Sequence, residues 1–265
     1  MPFLARPGFR LHYEFEADSA RPVLVFANSL GTQLSMWEQQ MPAFREHFSV
    51  LRYDSRGHGE SIEENTDAYS FDELGADLLA LLDSLGFDRV HFCGLSMGGM
   101  LGQWLGIHAP HRIRKLVLCN TAAKIGTDEG WNTRIDTVRM EGIDAIVPAV
   151  LARWFTEDFR AAYPAEFAAT AAMLLANRPR GYTASCAAIR DADFRDGIAR
   201  ITAPALIVCG VEDQVTTPAA AAFLAQHIPG ARLLALPAAH LSNVEAATAF
   251  STGVLNFFVA GGTDA

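Results

Sequence analysis

The hydrophobic residues of this chain alternate between short continuous runs and longer segments with helical spacing. Residues 23–27 form an apolar run of the kind that strands buried on both faces show. Comparable or alternating runs occupy residues 9–15, 48–53, 90–94, 114–119, 205–210 and 232–236. Residues 71–85 carry apolar positions three to four apart, which predicts a helix, and a second helical segment at 97–108 directly follows the run at 90–94. Strands that alternate with helices predict an α/β fold with a mostly parallel central sheet flanked by helices.

The alternation stops near residue 121 and resumes at residue 205. Between about 127 and 195 we find no strand-like run but helical patterns, for example at 164–176. A second helical pattern contains Pro148, which predicts a kink or a split. We therefore predict a core of residues 1–124 and 197–265. A helical cap of residues 125–196 interrupts it after the sixth or seventh strand, over the strand ends where open α/β sheets bind ligands.

Composition and charge limit the classes of partner and the cellular location that we expect for this chain. A chain of 265 residues with 50% hydrophobic residues can bury a large core without disulfides or a structural metal. The net charge of −9 argues against nucleic acid as a partner. No apolar run approaches the roughly 18 residues that span a bilayer, and the first residues lack the pattern of a signal peptide. The four cysteines and the histidines lack metal-ligand spacing, so we expect no metal, and buried reduced thiols in a cytoplasmic protein.

One motif indicates a nucleophile. Residues 94–98 read Gly-Leu-Ser-Met-Gly and fit G-x-S-x-G between a predicted strand and a predicted helix. In that context the turn is so sharp that small residues must flank the serine, whose hydroxyl is exposed beside a helix N-terminus. The alternative reading is a glycine-rich turn without chemistry. The context favours Ser96 as a nucleophile.

A nucleophilic serine needs a base and an orienting acid, here in the order serine, acid, histidine. Of the eight histidines, His240 lies after the last predicted strand, in a loop that precedes a helix predicted at 243–258. Asp213 follows the strand that ends at residue 210 and is favoured by register over its neighbour Glu212. The loop after the preceding predicted strand holds no acid. We therefore predict the catalytic residues Ser96, Asp213 and His240.

The same reasoning predicts two donors for an oxyanion. One is the backbone N–H of Met97, directly after the nucleophile. The other should come from the loop after the strand 23–27, where residues 28–32 read Asn-Ser-Leu-Gly-Thr, and we select the N–H of Leu30. A plain turn is the alternative interpretation of this loop.

Taken together, these residues resemble the α/β-hydrolase fold across nearly the whole chain. Residues 54–61, Asp-Ser-Arg-Gly-His-Gly-Glu-Ser, resemble that family's loop after its fourth strand. The resemblance implies a structural role for the loop, so that His58 is not expected to be catalytic.

Four shorter runs resemble the 3-oxoadipate enol-lactonases within this fold. Residues 28–31 replace the His-Gly pair common in the wider superfamily, and residues 93–99, 120–126 and 185–191 match the same group. The resemblance implies a cytoplasmic enzyme of bacterial aromatic catabolism in the β-ketoadipate pathway. It would open the lactone ring of 3-oxoadipate enol-lactone through an acyl-enzyme on Ser96, without a metal or an organic cofactor. The residues by themselves indicate only a serine hydrolase.

A small anionic lactone as substrate calls for a cation, which a cap arginine can supply through paired hydrogen bonds. Arg190 is the first choice because it lies in a run that resembles the enol-lactonases, and Arg134 is the second. Any of the cap arginines could instead be a solvated surface residue. Trp131 and Trp154 could wall the substrate pocket, or they could serve ordinary packing of the cap.

Other functions share these residues. A general carboxylesterase, a perhydrolase or a carbon–carbon bond hydrolase would use the same three catalytic groups. A non-catalytic receptor or scaffold on this fold is a more remote alternative. Haloalkane dehalogenases and epoxide hydrolases are excluded, because they need an aspartate where Ser96 stands.

Overall fold

A sheet of eight strands runs through the centre of the computed structural model, which describes residues 2–63 and 65–260. The strands in chain order are β1 (Phe3–Arg6), β2 (Phe9–Glu16), β3 (Val23–Ala27), β4 (Ser49–Tyr53), β5 (Val90–Leu95), β6 (Ile113–Cys119), β7 (Ala205–Gly210) and β8 (Arg232–Leu236). Their order across the sheet is β1-β2-β4-β3-β5-β6-β7-β8. The pairs β1–β2 and β2–β4 are antiparallel, and all the other pairs are parallel.

Helices cover both faces of this sheet. The helices of the described chain, including those inserted between β6 and β7, are α1 (Met41–Phe44), α2 (Phe71–Ser84), α3 (Met97–His108), α4 (Asp128–Glu141), α5 (Val147–Trp154), α6 (Glu157–Ala162), α7 (Pro164–Leu175), α8 (Pro179–Asp191), α9 (Pro218–His227), α10 (Ser242–Glu245) and α11 (Ala247–Val259). Every residue of β4, β5 and β7 is buried, as the continuous apolar runs predict for strands packed on both faces. The predicted fold class is confirmed.

Two elements differ from the prediction. The edge strand β1 was not predicted, because its four residues, Phe-Leu-Ala-Arg, show no clear alternation of hydrophobic and polar positions. In the structure none of the four is fully buried. The helix predicted at 243–258 is two helices, with Ala246 at φ −117° and ψ 43° between them. No proline or glycine stands at this break, so the sequence carries no local signal for it.

The segment between β6 and β7 is helical and contains α4 to α8. The insertion thus follows the sixth strand. Pro148 stands near the start of α5, after a separate 3-10 turn at Ile143–Ala145, which agrees with the predicted split. The cap segment is defined here as residues 125–196. The predicted bounds of the core include Met1, Glu64 and 261–265, which lie outside the described residues.

The course of the chain opens a crevice beside the central strands. β3 pairs with β4 on one side and with β5 on the other, with Ala27 opposite Gly94. The connections that leave the ends of β3 and β5 therefore diverge, and open α/β sheets bind ligands at such switch points. The predicted oxyanion loop follows β3 and the predicted nucleophile follows β5.

Three further features concern the part of the chain that the structure describes. Among the described residues, no helix is both long enough and apolar enough to cross a membrane. All four cysteines are buried and free, and Cys93 Sγ lies 3.7 Å from Cys119 Sγ. Within the same described part, no group of three or more histidine, cysteine, aspartate and glutamate residues is placed to hold a metal ion.

Candidate active site

The turn between β5 and α3 holds Ser96 in a strained conformation, with φ 57° and ψ −110°. Close packing of backbone explains the two flanking glycines. A Cβ added to Gly94 would lie 2.1 Å from the Gly98 carbonyl oxygen, and one added to Gly98 would lie 2.2 Å from the Ala27 carbonyl oxygen. The motif therefore forms a strand-to-helix elbow, and any residue larger than glycine at position 94 or 98 would clash with the backbone.

Neighbouring strands hold the backbone of the elbow on both sides of the serine. The Ser96 N–H donates to the Cys119 carbonyl at 2.9 Å, and Thr121 Oγ1 donates to the Ser96 carbonyl at 2.8 Å. Because these bonds occupy the main chain, the position of the Ser96 side chain is set by the fold.

Five hydrogen bonds converge on the carboxylate of Asp213. Oδ1 accepts from the N–H groups of Val215 at 2.7 Å and Thr216 at 3.0 Å. Oδ2 accepts from Thr216 Oγ1 at 2.7 Å and Asn120 Nδ2 at 3.0 Å, and it lies 2.9 Å from His240 Nδ1. The aspartate and the histidine are both buried. The structure therefore brings together the predicted acid and the predicted base.

Burial by itself raises the pKa of the Asp213 carboxyl. The charge of His240 and the hydrogen bonds from His240, Asn120 and Thr216 outweigh burial and lower this pKa to about 2. Asp213 is therefore an anion at neutral pH and can orient the imidazole. Its neighbour Glu212 is exposed and makes no such contact.

Asn120 is a site residue that sequence reasoning missed, because only an acid was sought at this position. Its Nδ2 donates to the Ala239 carbonyl at 3.1 Å as well as to Asp213, and a carbonyl can only accept, so the amide nitrogen faces Asp213. Its Oδ1 accepts from Ser242 Oγ at 2.5 Å. The available signal was its place at the end of β6, since β6 and β7 are neighbours and their carboxyl ends meet at one edge. Asn120 also has a positive φ of 42°.

Ser96 and His240 line one cavity. In the described part of the chain no hydrogen bond joins the Ser96 hydroxyl to His240. Such bonds are often long in a free enzyme and tighten when substrate is bound.

A turn at residues 29–32 forms the wall of this cavity beside Ser96. The Ser29 carbonyl accepts from the Thr32 N–H at 3.2 Å and from Thr32 Oγ1 at 2.9 Å, and Gly31 has φ 80°, as the third position of a type II turn requires. The C=O and N–H of one peptide point in opposite directions. Since the Ser29 carbonyl faces Thr32, the N–H of Leu30 points away from Thr32, and both Ser29 and Leu30 line the cavity.

The turn is also joined to the elbow. The Gly98 N–H donates to the Asn28 carbonyl at 3.0 Å. The second predicted donor, the Met97 N–H, lies at the first position of α3, where no helical acceptor exists. Neither Leu30 N–H nor Met97 N–H donates to an acceptor within the described residues, so both are available to a ligand.

The cavity that contains Ser96 is small. It offers about 20 Å³ to the centre of a water molecule, which is enough for about one water. Its walls come from the turn, the elbow, the cap segment and the histidine loop: Ser29, Leu30, Ser96, Ile125, Trp131, Arg134, Trp154, Tyr182, Ile189, Val215 and His240. A second cleft of about 480 Å³ adjoins it, and both are lined by Ile125, Trp131, Arg134 and Val215.

Three of the four residues predicted to bind substrate line this cavity, namely Trp131, Arg134 and Trp154. The Arg134 guanidinium carbon lies 5.0 Å from the centre of the Trp131 ring. Within the described residues Arg134 forms no ion pair, so its charge faces the two cavities without a carboxylate partner.

Arg190, the first choice for the carboxylate contact, is not among the described residues that line this cavity or the adjoining cleft. It pairs with both carboxylate oxygens of Asp191, at 2.7 and 2.9 Å, and donates to Asn132 Oδ1 at 2.7 Å. Successive residues of a helix point about 100° apart, so when Ile189 faces the cavity Arg190 is turned away from it. A resemblance in local sequence does not show which face of a helix is buried.

A second arginine lies in the outer cleft beside Arg134. Burial lowers the pKa of Arg153, and the charge of Arg134 lowers it further. The approach to Ser96 is thus locally positive in a chain whose net charge is −9.

Comparison with known proteins agrees with this geometry. The model of the alpha/beta hydrolase fold family matches residues 22–247. The chain belongs to the α/β-hydrolase family. The curated 3-oxoadipate enol-lactonase 2 of Acinetobacter baylyi is 42% identical over 244 residues, which cover 92% of this chain and 91% of that protein.

Solved α/β-hydrolases superpose closely on the chain. The crystal structure of an enol-lactonase from Burkholderia xenovorans has a TM-score of 0.95 and 43% identity, and covers 97% of this chain and 100% of its own. A thermophilic esterase from Thermogutta terrifontis has a TM-score of 0.89 at 25% identity, covering 97% of this chain and 96% of its own. The predicted fold, the prediction of a hydrolase and the resemblance to enol-lactonases are confirmed.

Proposed function

We propose that this α/β-hydrolase opens the lactone ring of 3-oxoadipate enol-lactone to give 3-oxoadipate. The observation that carries the proposal is the guanidinium of Arg134, which faces the cavity of Ser96 and His240 with no carboxylate partner among the described residues. A neutral ester needs no such cation, whereas an anionic lactone does. Two curated relatives named 3-oxoadipate enol-lactonase, at 42% and 39% identity, support the same substrate.

In the proposed reaction Ser96 attacks the lactone carbonyl while His240 accepts the hydroxyl proton. Asp213 holds the Nδ1–H tautomer of His240 and stabilises the imidazolium that forms. The N–H groups of Leu30 and Met97 donate to the developing oxyanion, each contributing about 3 kcal/mol to the stability of the transition state.

Collapse of the tetrahedral intermediate breaks the ring C–O bond, and His240 returns its proton to the enol oxygen. The enol stays tethered to the acyl group on Ser96. Water, activated by His240, then hydrolyses the acyl-enzyme and releases the product. Conversion of the enol into the ketone makes the reaction hard to reverse.

The carboxylate arm of the lactone would pair with Arg134, between Trp131 and Trp154. The space of about 20 Å³ beside Ser96 is smaller than the lactone, so we expect the site to open on binding, toward the outer cleft with which it shares Trp131 and Arg134. The proposal includes a small anionic partner, a cytoplasmic location, and no role for nucleic acid, membrane, metal or organic cofactor.

The test is direct. Purified protein is mixed with the enol-lactone, and loss of its ultraviolet absorbance is followed beside a panel of neutral esters. We expect kcat/KM for the lactone to exceed that for any ester. Slow lactone turnover beside fast ester turnover would instead assign the protein as a general carboxylesterase.

A further inference from the structure

His58 is a buried histidine outside the three catalytic residues, and both of its ring nitrogens are in contact with backbone. Nδ1 lies 3.2 Å from the Arg56 carbonyl oxygen, and Nε2 accepts from the Gly31 N–H at 3.0 Å. A carbonyl oxygen can only accept and a peptide N–H can only donate. The two contacts therefore require one form of the ring, the neutral imidazole with its proton on Nδ1.

The Gly31 N–H belongs to the central peptide of the 29–32 turn. The peptide before it is held by Thr32, which donates twice to the Ser29 carbonyl. The peptide after it is held by Asn177 of the cap segment, whose Nδ2 donates to the Gly31 carbonyl at 2.8 Å. His58 supplies the remaining contact, so all three peptides of the turn have fixed orientations.

We propose that His58 is a positioning residue for the reaction, because its Nε2 fixes the turn that directs the Leu30 N–H at the oxyanion. The inference rests on one part of the proposed function, namely that attack by Ser96 forms an oxyanion. It does not depend on the lactone, because any ester that Ser96 attacks forms such an oxyanion.

The surroundings of His58 keep the acceptor available. Burial lowers the pKa of His58, against the opposing effects of the Arg56 carbonyl and the Asp54 charge. A protonated ring would carry hydrogen on both nitrogens and would repel the Gly31 N–H. The neutral ring can keep its contact with the turn.

Two variants separate positioning from packing. In His58→Gln the amide oxygen can accept from Gly31 and the amide nitrogen can donate to the Arg56 carbonyl. In His58→Leu neither contact is possible. The matched control is His91→Gln, which changes another buried imidazole, one packed against Phe48 and Phe258.

We expect His58→Leu to lower kcat by about 10- to 100-fold, part of the loss that removing one oxyanion donor causes. KM should stay within about twofold, since the turn holds the transition state rather than the bound substrate. His58→Gln should recover most of kcat, and His91→Gln should resemble the wild type. Equal kcat values for the wild type and a folded His58→Leu would overturn the inference.

The assays use both the enol-lactone and p-nitrophenyl acetate. If the wild type hydrolyses only the ester, the proposed function fails while the ester still decides the role of His58. A measurement independent of activity covers the case in which His58→Leu does not fold. In ¹⁵N-histidine-labelled wild type at pH 7, the ring of His58 should be neutral and protonated at Nδ1, and an Nε2–H tautomer or an imidazolium would overturn the inference.

Discussion

Replacing Asp213 with asparagine tests the arrangement of the site, because the surrounding donors dictate how the amide must lie. Val215 and Thr216 both donate backbone N–H groups to Oδ1, so the amide oxygen must take that position. The amide nitrogen then takes the place of Oδ2 and meets the donors of Thr216 Oγ1, Asn120 and His240.

This orientation reverses the tautomer of His240. The Ala239 carbonyl can only accept, and it accepts from Asn120 Nδ2 at 3.1 Å, so the Asn120 nitrogen also points at residue 213 and a flipped amide would lose this bond. The imidazole can meet the new NH₂ group only with a bare Nδ1, which places its proton on Nε2. A histidine in that form cannot accept the proton of Ser96.

The expected loss is therefore in kcat. In a serine protease, the analogous aspartate-to-asparagine substitution imposes the wrong histidine tautomer and lowers kcat by about 10⁴-fold, or about 5 kcal/mol. We expect a loss of about 10³- to 10⁴-fold here, on the same physical ground. The charge-assisted hydrogen bond from Asn120 is also lost and the one from the Thr216 hydroxyl must reverse, which should lower the free energy of unfolding by about 2–4 kcal/mol.

The assay is steady-state turnover of the enol-lactone and of p-nitrophenyl acetate, with urea denaturation measured on the same preparations. Glu212→Gln is the matched control, since it removes a carboxylate from the adjacent but exposed position and should leave kcat within about twofold. A folded Asp213→Asn variant with kcat within about 10-fold of the wild type would refute the reasoning.

The remaining predictions concern the nucleophile, the cation and acid stability. Ser96→Ala should abolish labelling by a fluorophosphonate and lower kcat by at least about 10³-fold with the fold intact; persistent labelling would place the nucleophile elsewhere. Arg134→Met should raise KM for the anionic lactone by about 10- to 100-fold and leave KM for a neutral ester unchanged. Arg190→Met, the control, should change neither KM. Equal effects of the two substitutions on KM for the lactone would contradict the assignment of Arg134 to the substrate carboxylate. The lowered pKa of Asp213, about 2 against an ordinary 3.8, stabilises the folded state by about 2 kcal/mol above pH 5, and this is lost as the pH falls toward 2. The free energy of unfolding should therefore fall more steeply between pH 5 and 2 in the wild type than in Asp213→Asn. Parallel dependence on pH in the two proteins would rule out this contribution of Asp213.

Local order in the sequence was enough to predict much of the site. The elbow needs glycines on both sides of Ser96, and this steric requirement can be recognised from the five consecutive residues 94–98. Asp213 and His240 each follow a strand, and strands of a parallel sheet end at a common edge. That both lie at this edge could therefore be predicted from chain order, whereas their contact at 2.9 Å depends on β7 and β8 being neighbours.

Contacts between distant segments could not be predicted in this way. Asn120 and Asp213 are 93 positions apart, and the interaction depends on the strand order of the sheet. Gly31 and His58 are 27 positions apart, in two loops that meet only because β3 and β4 are neighbours.

The sequence by itself thus determined the fold class, the elbow around Ser96 and the chain order of the candidate catalytic groups, because strand and helix periodicity and glycine spacing are local properties. Only the tertiary structure decided that Arg134 faces the cavity while Arg190 pairs with Asp191. Both arginines lie on amphipathic helices, and the buried face of a helix is set by what packs against it.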